Sequence, residues 1–257
     1  MAMYDNDKVQ YSFDLSYVSD YLQQAQWAEL IELKKVISAI YLQKQSTLRI
    51  LDIGIGNARV PKHLSAIHEI WDMIELYEGI DNAPACVAMT SETAVTLNIT
   101  DKLKVSLFDA SQLINWKDKY DLVLCTWFTP GNFHPPDFDF ENYQQKQHPL
   151  ILDQNPVFQA VFEAAFRLLT NGGMLVLGAV YLENDNTRLK QEAAYKKMGM
   201  QVITDASDSF TATRERFWSQ RFTKQKLVNY LSFVSPHKIN FIALDTYDFA
   251  LQVHVKK

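Results

Sequence analysis

Apolar positions change period several times along the chain. From about Gln24 to Lys44, Leu30, Leu33, Ile37, Ile40 and Tyr41 recur at helical spacing, which predicts an amphipathic helix ahead of the first strand. Five short apolar runs follow: Leu48–Ile53, Leu76–Ile80, Leu103–Phe108, Leu122–Thr126 and Met174–Tyr181. They alternate with helical stretches, and strands that are apolar throughout predict a mostly parallel sheet covered by helices on both faces. The helix before the fifth run is marked at both ends. Asn155 is its expected N-cap, Pro156 lies in its first turn, Phe158, Val161, Phe162, Ala165 and Phe166 form one face, and Asn171-Gly172-Gly173 is the expected stop.

The last two runs, Ile239–Leu244 and Phe249–Val255, are separated by Asp245, Thr246, Tyr247 and Asp248. Four residues cannot hold a crossover helix, so the pair is expected to be an antiparallel hairpin. Before it come a polar helix from about Asp185 to Met198 stopped by Gly199, a strand-like stretch from Met200 to Trp218, and a helix starting near Thr223. There are no repeats or low-complexity blocks, so one α/β domain is expected over 1–257. Within it we distinguish a helical cap (1–45), a ligand-binding core (46–183), a lid-like insertion (184–222) and a final helix and β-hairpin (223–257).

Composition narrows the classes. With 47% hydrophobic and 21% charged residues, the 257-residue chain is neither disordered nor fibrous. Its 25 basic and 30 acidic side chains argue against a nucleic-acid partner. No basic cluster followed by an apolar stretch opens the sequence, and the longest apolar run, Gly172 to Leu182, is far below the roughly 20 residues of a membrane span. Cys86 and Cys125 form no CxxC pair, which excludes a disulfide scaffold and a thiolate metal site; a cytoplasmic location is expected, with no metal and no membrane partner. Cys125, inside an apolar run, reads as a small core residue.

Ligands of open α/β sheets bind outside the carboxyl ends of the strands. The first such end reads Leu48-Arg-Ile-Leu-Asp-Ile-Gly-Ile-Gly-Asn-Ala-Arg59. Small residues here admit close approach to the backbone, but a dinucleotide loop needs glycine where Arg59 stands, which weakens a nicotinamide reading. The segment Asp52-Ile-Gly54-Ile-Gly56-Asn-Ala58 resembles the first loop of the class I S-adenosylmethionine-dependent methyltransferases, with Ala58 in place of a third glycine. Tyr77-Glu-Gly-Ile-Asp81-Asn82 is similar to the family's second strand end, whose acid binds ribose hydroxyls, and Leu107-Phe-Asp109-Ala110 to its third, whose acid faces the adenine amino group. Tyr120–Thr126 and the Gly172-Gly173 turn also match, so the resemblance runs from about Leu48 to Val255. It implies a Rossmann-like, seven-stranded, mostly parallel sheet with an antiparallel C-terminal hairpin strand. It also implies S-adenosyl-L-methionine as donor, with S-adenosyl-L-homocysteine as product, bound by Asp52, Gly54, Gly56, Ala58, Asp81, Asn82, Asp109, Ala110 and Thr126. Asp52 as a helix cap, and Asp81 and Asp109 as loop acids satisfied by nearby amides, are the structural alternatives.

The resemblance places the methyl acceptor beside the loop after the fourth strand, Thr126 to Glu141. Trp127, Phe128, Asn132 and Phe133 are candidate walls of an acceptor pocket, or pack the loop on the sheet. His134 is the candidate base if the acceptor must lose a proton, and otherwise a surface histidine. Strand alternation in the insertion places Phe210, Ala212, Arg214, Arg216 and Trp218 on one face, offering two arginines to an acidic acceptor unless they are solvated or paired with Glu215. Tyr11, Tyr17 and Tyr21 either close the pocket from above or pack the N-terminal segment, and Arg59 is either an exposed helical residue or fixes that segment. The expected function is transfer of a methyl group to an oxygen or nitrogen of a small molecule. The alternatives are a donor-binding regulator without catalysis and a nicotinamide-dependent oxidoreductase, against which Arg59 and the final hairpin stand.

Overall fold

The computed structural model describes residues 3–7, 11–13, 19–143, 150–245 and 248–257. Helix α1 spans Asp20–Lys44, starting before Gln24 because Ser19 is extended and Asp20 places an acid in the first turn. Then come β1 (Leu48–Ile53), α2 (Arg59–Ser65), α3 (His68–Trp71), β2 (Ile74–Asp81), α4 (Pro84–Thr96), β3 (Leu103–Leu107) and β4 (Tyr120–Cys125). The second half contains α5 (Pro156–Arg167), β5 (Leu169–Leu182), α6 (Asp185–Lys197), β6 (Phe210–Ala212), β7 (Trp218–Phe222), α7 (Lys224–Tyr230), β8 (Ile239–Ala243) and β9 (Ala250–Lys256).

Of the nine strands in the sheet, the expected seven run in the order β3-β2-β1-β4-β5-β9-β8. β1 to β5 pair in parallel, while β9 runs antiparallel to both β5 and β8. Helices cover both faces. On one, Leu51, Val123, Leu175 and Val253 pack against Phe158, Val161 and Phe162 of α5 and Leu227 of α7. On the other, Ile50, Leu122 and Val176 meet Leu33 and Ile37 of α1 and Val60 and Leu64 of α2. Burying each such side chain contributes about 1.5–3 kcal/mol, which is why the apolar runs are central strands.

Two sequence expectations are corrected. Helix α5 does begin at Pro156, with the Asn155 side chain accepting the Phe158 N–H at 3.0 Å, but it ends at Arg167, ahead of the glycines. Gly172, at φ +79°, and Gly173 belong instead to a bulge in β5, where the register against β4 jumps from Tyr120↔Leu169 to Leu122↔Met174. The stretch from Met200 to Trp218 is not one strand. Residues 214–217 turn, with Arg216 at φ 67°, and the chain folds back as the antiparallel β6–β7 pair.

That hairpin joins the sheet. Tyr181 pairs with Ala250 of β9 on one edge and with Arg221 of β7 on the other, so β7 runs parallel to β5 along the edge that β4, ending at Cys125, has vacated. A second bulge in β5 lies between Leu177 and Val180, where Ala179 takes φ 42°.

Candidate functional site

The strand order reverses direction between β1 and β4, and a cavity of about 430 Å³ opens at their carboxyl ends. Its floor is the turn after β1. Gly54 and Gly56 have φ of +72° and +61°, and Ala58, standing where the resembling pattern has a third glycine, is also left-handed at φ 61°. Glycine is needed at Gly56 for a second reason: a Cβ there would lie 3.2 Å from the Phe13 ring.

Asp81 forms the next part of the wall. Its Oδ2 accepts the Gly56 N–H at 3.0 Å and its Oδ1 accepts the Ala83 N–H at 3.0 Å. Burial raises its pKa, and the backbone donors oppose that shift. Its carboxylate lines the cavity, where its oxygens can face the hydroxyls of a ligand. Asn82 lies beside it, and Asp109 and Ala110 line the adjoining end of β3, with Asp109 Oδ1 accepting the Ser111 N–H at 2.9 Å. Thr126, at the end of β4, completes this side. The cavity therefore brings together Gly54, Gly56, Asp81, Asn82, Asp109, Ala110 and Thr126.

Asp52 and Ala58 are buried behind this lining. Asp52 Oδ2 accepts the Tyr77 hydroxyl at 2.6 Å, and its Oδ1 has no partner. Burial pushes its pKa up to about 7, against the opposing effects of the Tyr77 hydrogen bond and the Arg59 charge. Asp52 thus supports the loop from beneath.

At the β4 end, Trp127, Asn132, Phe133 and His134 all face the cavity. His134 Nδ1 lies 2.7 Å from the Pro135 carbonyl. A carbonyl oxygen only accepts, so Nδ1 is the donor of this pair. Phe128, expected in the same wall, is turned away. It stacks on Tyr181 at 3.6 Å and meets the edge of Phe249.

The loop is held by a residue the sequence reading passed over. Glu29 of α1 is fully buried; its Oε1 accepts the Trp127 N–H at 3.0 Å and its Oε2 pairs with the Arg59 guanidinium. Arg59 in turn lies over the Trp127 ring, 5.2 Å from its centroid, and lines the cavity. Trp127 and Phe128 both take left-handed φ, 50° and 62°, and this strain sits where α1, the β1 loop and the β4 loop meet. Arg59 is accordingly a half-buried partner of Glu29, not an exposed helical residue. Also missed were Tyr4 and Phe13, stacked at 5.1 Å, which bring the N-terminal segment onto the cavity. Nothing in their local spacing marks them.

The expected lid face is corrected. Arg214 donates to the Phe140 and Glu141 carbonyls, the Arg216 guanidinium lies 5.5 Å from the Phe140 ring centroid, and neither lines the cavity. Trp218 is fully buried, stacked on Phe210 at 4.0 Å. Tyr21 packs edge-on to Phe249 beneath Lys190, and Tyr11 is exposed; Tyr17 lies outside the described residues. Among the described residues no cluster of His, Cys, Asp or Glu has the geometry to hold a metal, and no helix is long and apolar enough to cross a membrane.

No protein-family model and no curated protein matches the chain. Solved structures do. An S-adenosylmethionine-dependent methyltransferase from Clostridium acetobutylicum superimposes with a TM-score of 0.58 at 12% identity, covering 99% of both chains. An amino pentose methyltransferase from Micromonospora echinaspora, bound to S-adenosylmethionine, gives 0.52 at 13% identity over 89% of this chain and 92% of its own. A 1,6-didemethyltoxoflavin N1-methyltransferase from Burkholderia thailandensis, holding its substrate and S-adenosylhomocysteine, gives 0.51 at 12% over 100% and 91%. These likenesses establish the fold: the chain has the Rossmann-like architecture of S-adenosylmethionine-dependent methyltransferases.

Proposed function

We propose that the chain is an S-adenosylmethionine-dependent methyltransferase that methylates an oxygen or nitrogen of a small molecule. The observation that carries this reading is Asp81, a carboxylate fixed by the Gly56 and Ala83 N–H groups on the wall of a cavity at the β1/β4 switch. The donor set fits the group: a carboxylate for ribose hydroxyls, left-handed glycines that expose backbone, and a second acid, Asp109, one strand further along. When bound, S-adenosylmethionine supplies an electrophilic methyl carbon: the acceptor lone pair bonds to it while the carbon–sulfur pair returns to sulfur, leaving S-adenosylhomocysteine.

The protein's own part is mainly alignment and exclusion of water. Gly54, Gly56, Asp81, Asn82, Asp109, Ala110 and Thr126 hold the donor; Trp127, Asn132 and Phe133 wall the acceptor; Asp52 and Ala58 act from behind the lining. His134 takes the acceptor's proton on Nε2, its Nδ1 being engaged with the Pro135 carbonyl. We place the reaction in the cytoplasm, a reading supported by two buried free thiols, Cys86 and Cys125.

Calorimetric titration with S-adenosylmethionine and S-adenosylhomocysteine, with NAD in parallel, tests the donor. Binding of the first two, weakened at least about tenfold in Asp81→Ala, is the expected result. Binding of NAD alone would refute the reading, and turnover with any acceptor would separate an enzyme from a protein that binds the donor without catalysis.

A further inference from the structure

We propose that Thr90 is a positioning residue for the methyl donor: its hydroxyl fixes the peptide between Gly56 and Asn57 so that the Asn57 N–H is turned towards the ligand. The inference rests on the methyltransferase reading for the identity of the ligand, and on α4 and the β1 loop for the geometry.

Thr90 lies on the inner face of α4, fully buried in a row with Cys86 and Ala94 at helical spacing. A helical threonine or serine ordinarily turns its hydroxyl back to the carbonyl four residues earlier in its own helix. Ser91 does so, donating to the Val87 carbonyl at 2.8 Å. Thr90 instead reaches out of the helix, and its Oγ1 donates to the Gly56 carbonyl at 2.9 Å, 34 residues back along the chain. Valine has nearly the same shape and would fill this place without a polar atom to desolvate. The use of the hydroxyl therefore lies in the bond it makes.

That bond goes to a carbonyl the backbone leaves alone. Among the described residues no backbone N–H donates to Gly56 O, because the chain there runs between β1 and α2 in a left-handed turn at φ +61°. The other polar group of the same residue is also taken, the Gly56 N–H donating to Asp81 Oδ2 at 3.0 Å. Gly56 is thus clamped at both ends, by β2 through Asp81 and by α4 through Thr90.

The clamp sets a direction. In a trans peptide the C=O and N–H point in opposite senses, so a Gly56 carbonyl held towards α4 turns the Asn57 N–H away from α4. Gly56 and Asn57 both line the cavity and Thr90 does not, which puts the loop between α4 and the ligand space. The Asn57 N–H has no backbone acceptor among the described residues. A donor preset in this way takes an acceptor atom of the ligand without first reorganising the loop. Thr90 acts on the ligand through Gly56 and Asn57, without touching it.

The test compares Thr90→Val, which removes the hydroxyl at nearly constant shape, with Thr90→Ser, which keeps it. S-adenosylhomocysteine binding is read by calorimetry and amide hydrogen exchange of the intact protein by NMR. We expect Thr90→Val to bind S-adenosylhomocysteine about tenfold more weakly and to exchange the Gly56 N–H about tenfold faster, with the amides of β4 and β5 unchanged. Thr90→Ser should stay close to wild type in both. Should the valine variant not fold, Thr90→Ala carries the same expectation. Wild-type affinity in folded Thr90→Val would overturn the proposal, as would equal losses in the valine and serine variants. Exchange accelerated in β4 and β5 as much as at Gly56 would reduce Thr90 to a general support of the fold and overturn it too. If the wild-type protein does not bind S-adenosylhomocysteine, the donor reading falls instead, and exchange at Gly56 still decides whether Thr90 orients the loop.

Discussion

Glu29 Oε1 accepts the Trp127 N–H at 3.0 Å across 98 residues of sequence, while the other oxygen of the same carboxylate holds Arg59. One buried side chain thus joins the N-terminal helix to both loops of the cavity. Removing one partner of a buried ion pair strands the other, so Glu29→Ala should cost about 3–5 kcal/mol of stability. Glu29→Gln, which can still accept the Trp127 N–H, should cost less. Urea unfolding measures both; equal losses would assign the whole effect to the charge pair and none to the Trp127 bond.

Gly178 lies against the same carboxylate. A Cβ there would overlap Glu29 Oε1 and come within 3.2 Å of the Thr126 backbone. Gly178→Ala should therefore destabilise by about 1–3 kcal/mol, the range of an overpacked core. It should also weaken the β4 loop more than the donor side. Thermal melting, with S-adenosylhomocysteine titration alongside, checks this; a wild-type melting temperature would contradict the packing described.

Asp52 links stability to pH. Its folded pKa, about 7, lies above the ordinary carboxylate value, so folding favours the protonated form. The stability this confers is fully present below about pH 4 and is lost as pH rises through about 7. Asp52→Asn has no such proton to lose. Each pH step of one between the unfolded and folded pKa values is worth about 1.4 kcal/mol, so wild type should lose a few kcal/mol relative to the variant between about pH 4.5 and about pH 8. Denaturation midpoints of both proteins at the two pH values provide the measurement, and parallel pH dependence would show that Asp52 ionises freely.

His134→Gln should lower kcat about a hundredfold with an acceptor that must surrender a proton, while donor affinity stays unchanged. The loss should be confined to acceptors that carry the proton and be absent with one supplied already deprotonated. An equal loss with both would exclude His134 from proton transfer.

Much of this was legible from local sequence. Leu48–Ile53 reads as a buried strand because every position is apolar or carries a local function, and β1 has those bounds. Asp81 and Asp109 were legible because each directly follows an apolar run, Leu76–Ile80 and Leu103–Phe108, and both reach the cavity. Glu29 was not, since its helix shows a charge where its burial depends on Arg59 and on space at Gly178. Alternation failed in the insertion for a related reason. Arg216 takes a left-handed turn with no glycine or proline to announce it, so Arg214 and Trp218 fall in different surroundings. Phe128 was misplaced because backbone strain, invisible in composition, rotates it onto Tyr181.

The edge of β5 taken over by β7 anchors the insertion in the sheet. Backbone pairing at Tyr181 and Leu182, and the buried Arg221 bonded to Gln191 and Thr211 at 2.6 Å each, tie the insertion into the sheet. To swing out, it would have to break a sheet ladder. The N-terminal segment is attached by ring contacts of Tyr4 with Phe13 and Phe217 and by the 3.4 Å bond to Asn132. The insertion is thus built into the sheet, whereas the described N-terminal residues meet the cavity through side-chain contacts.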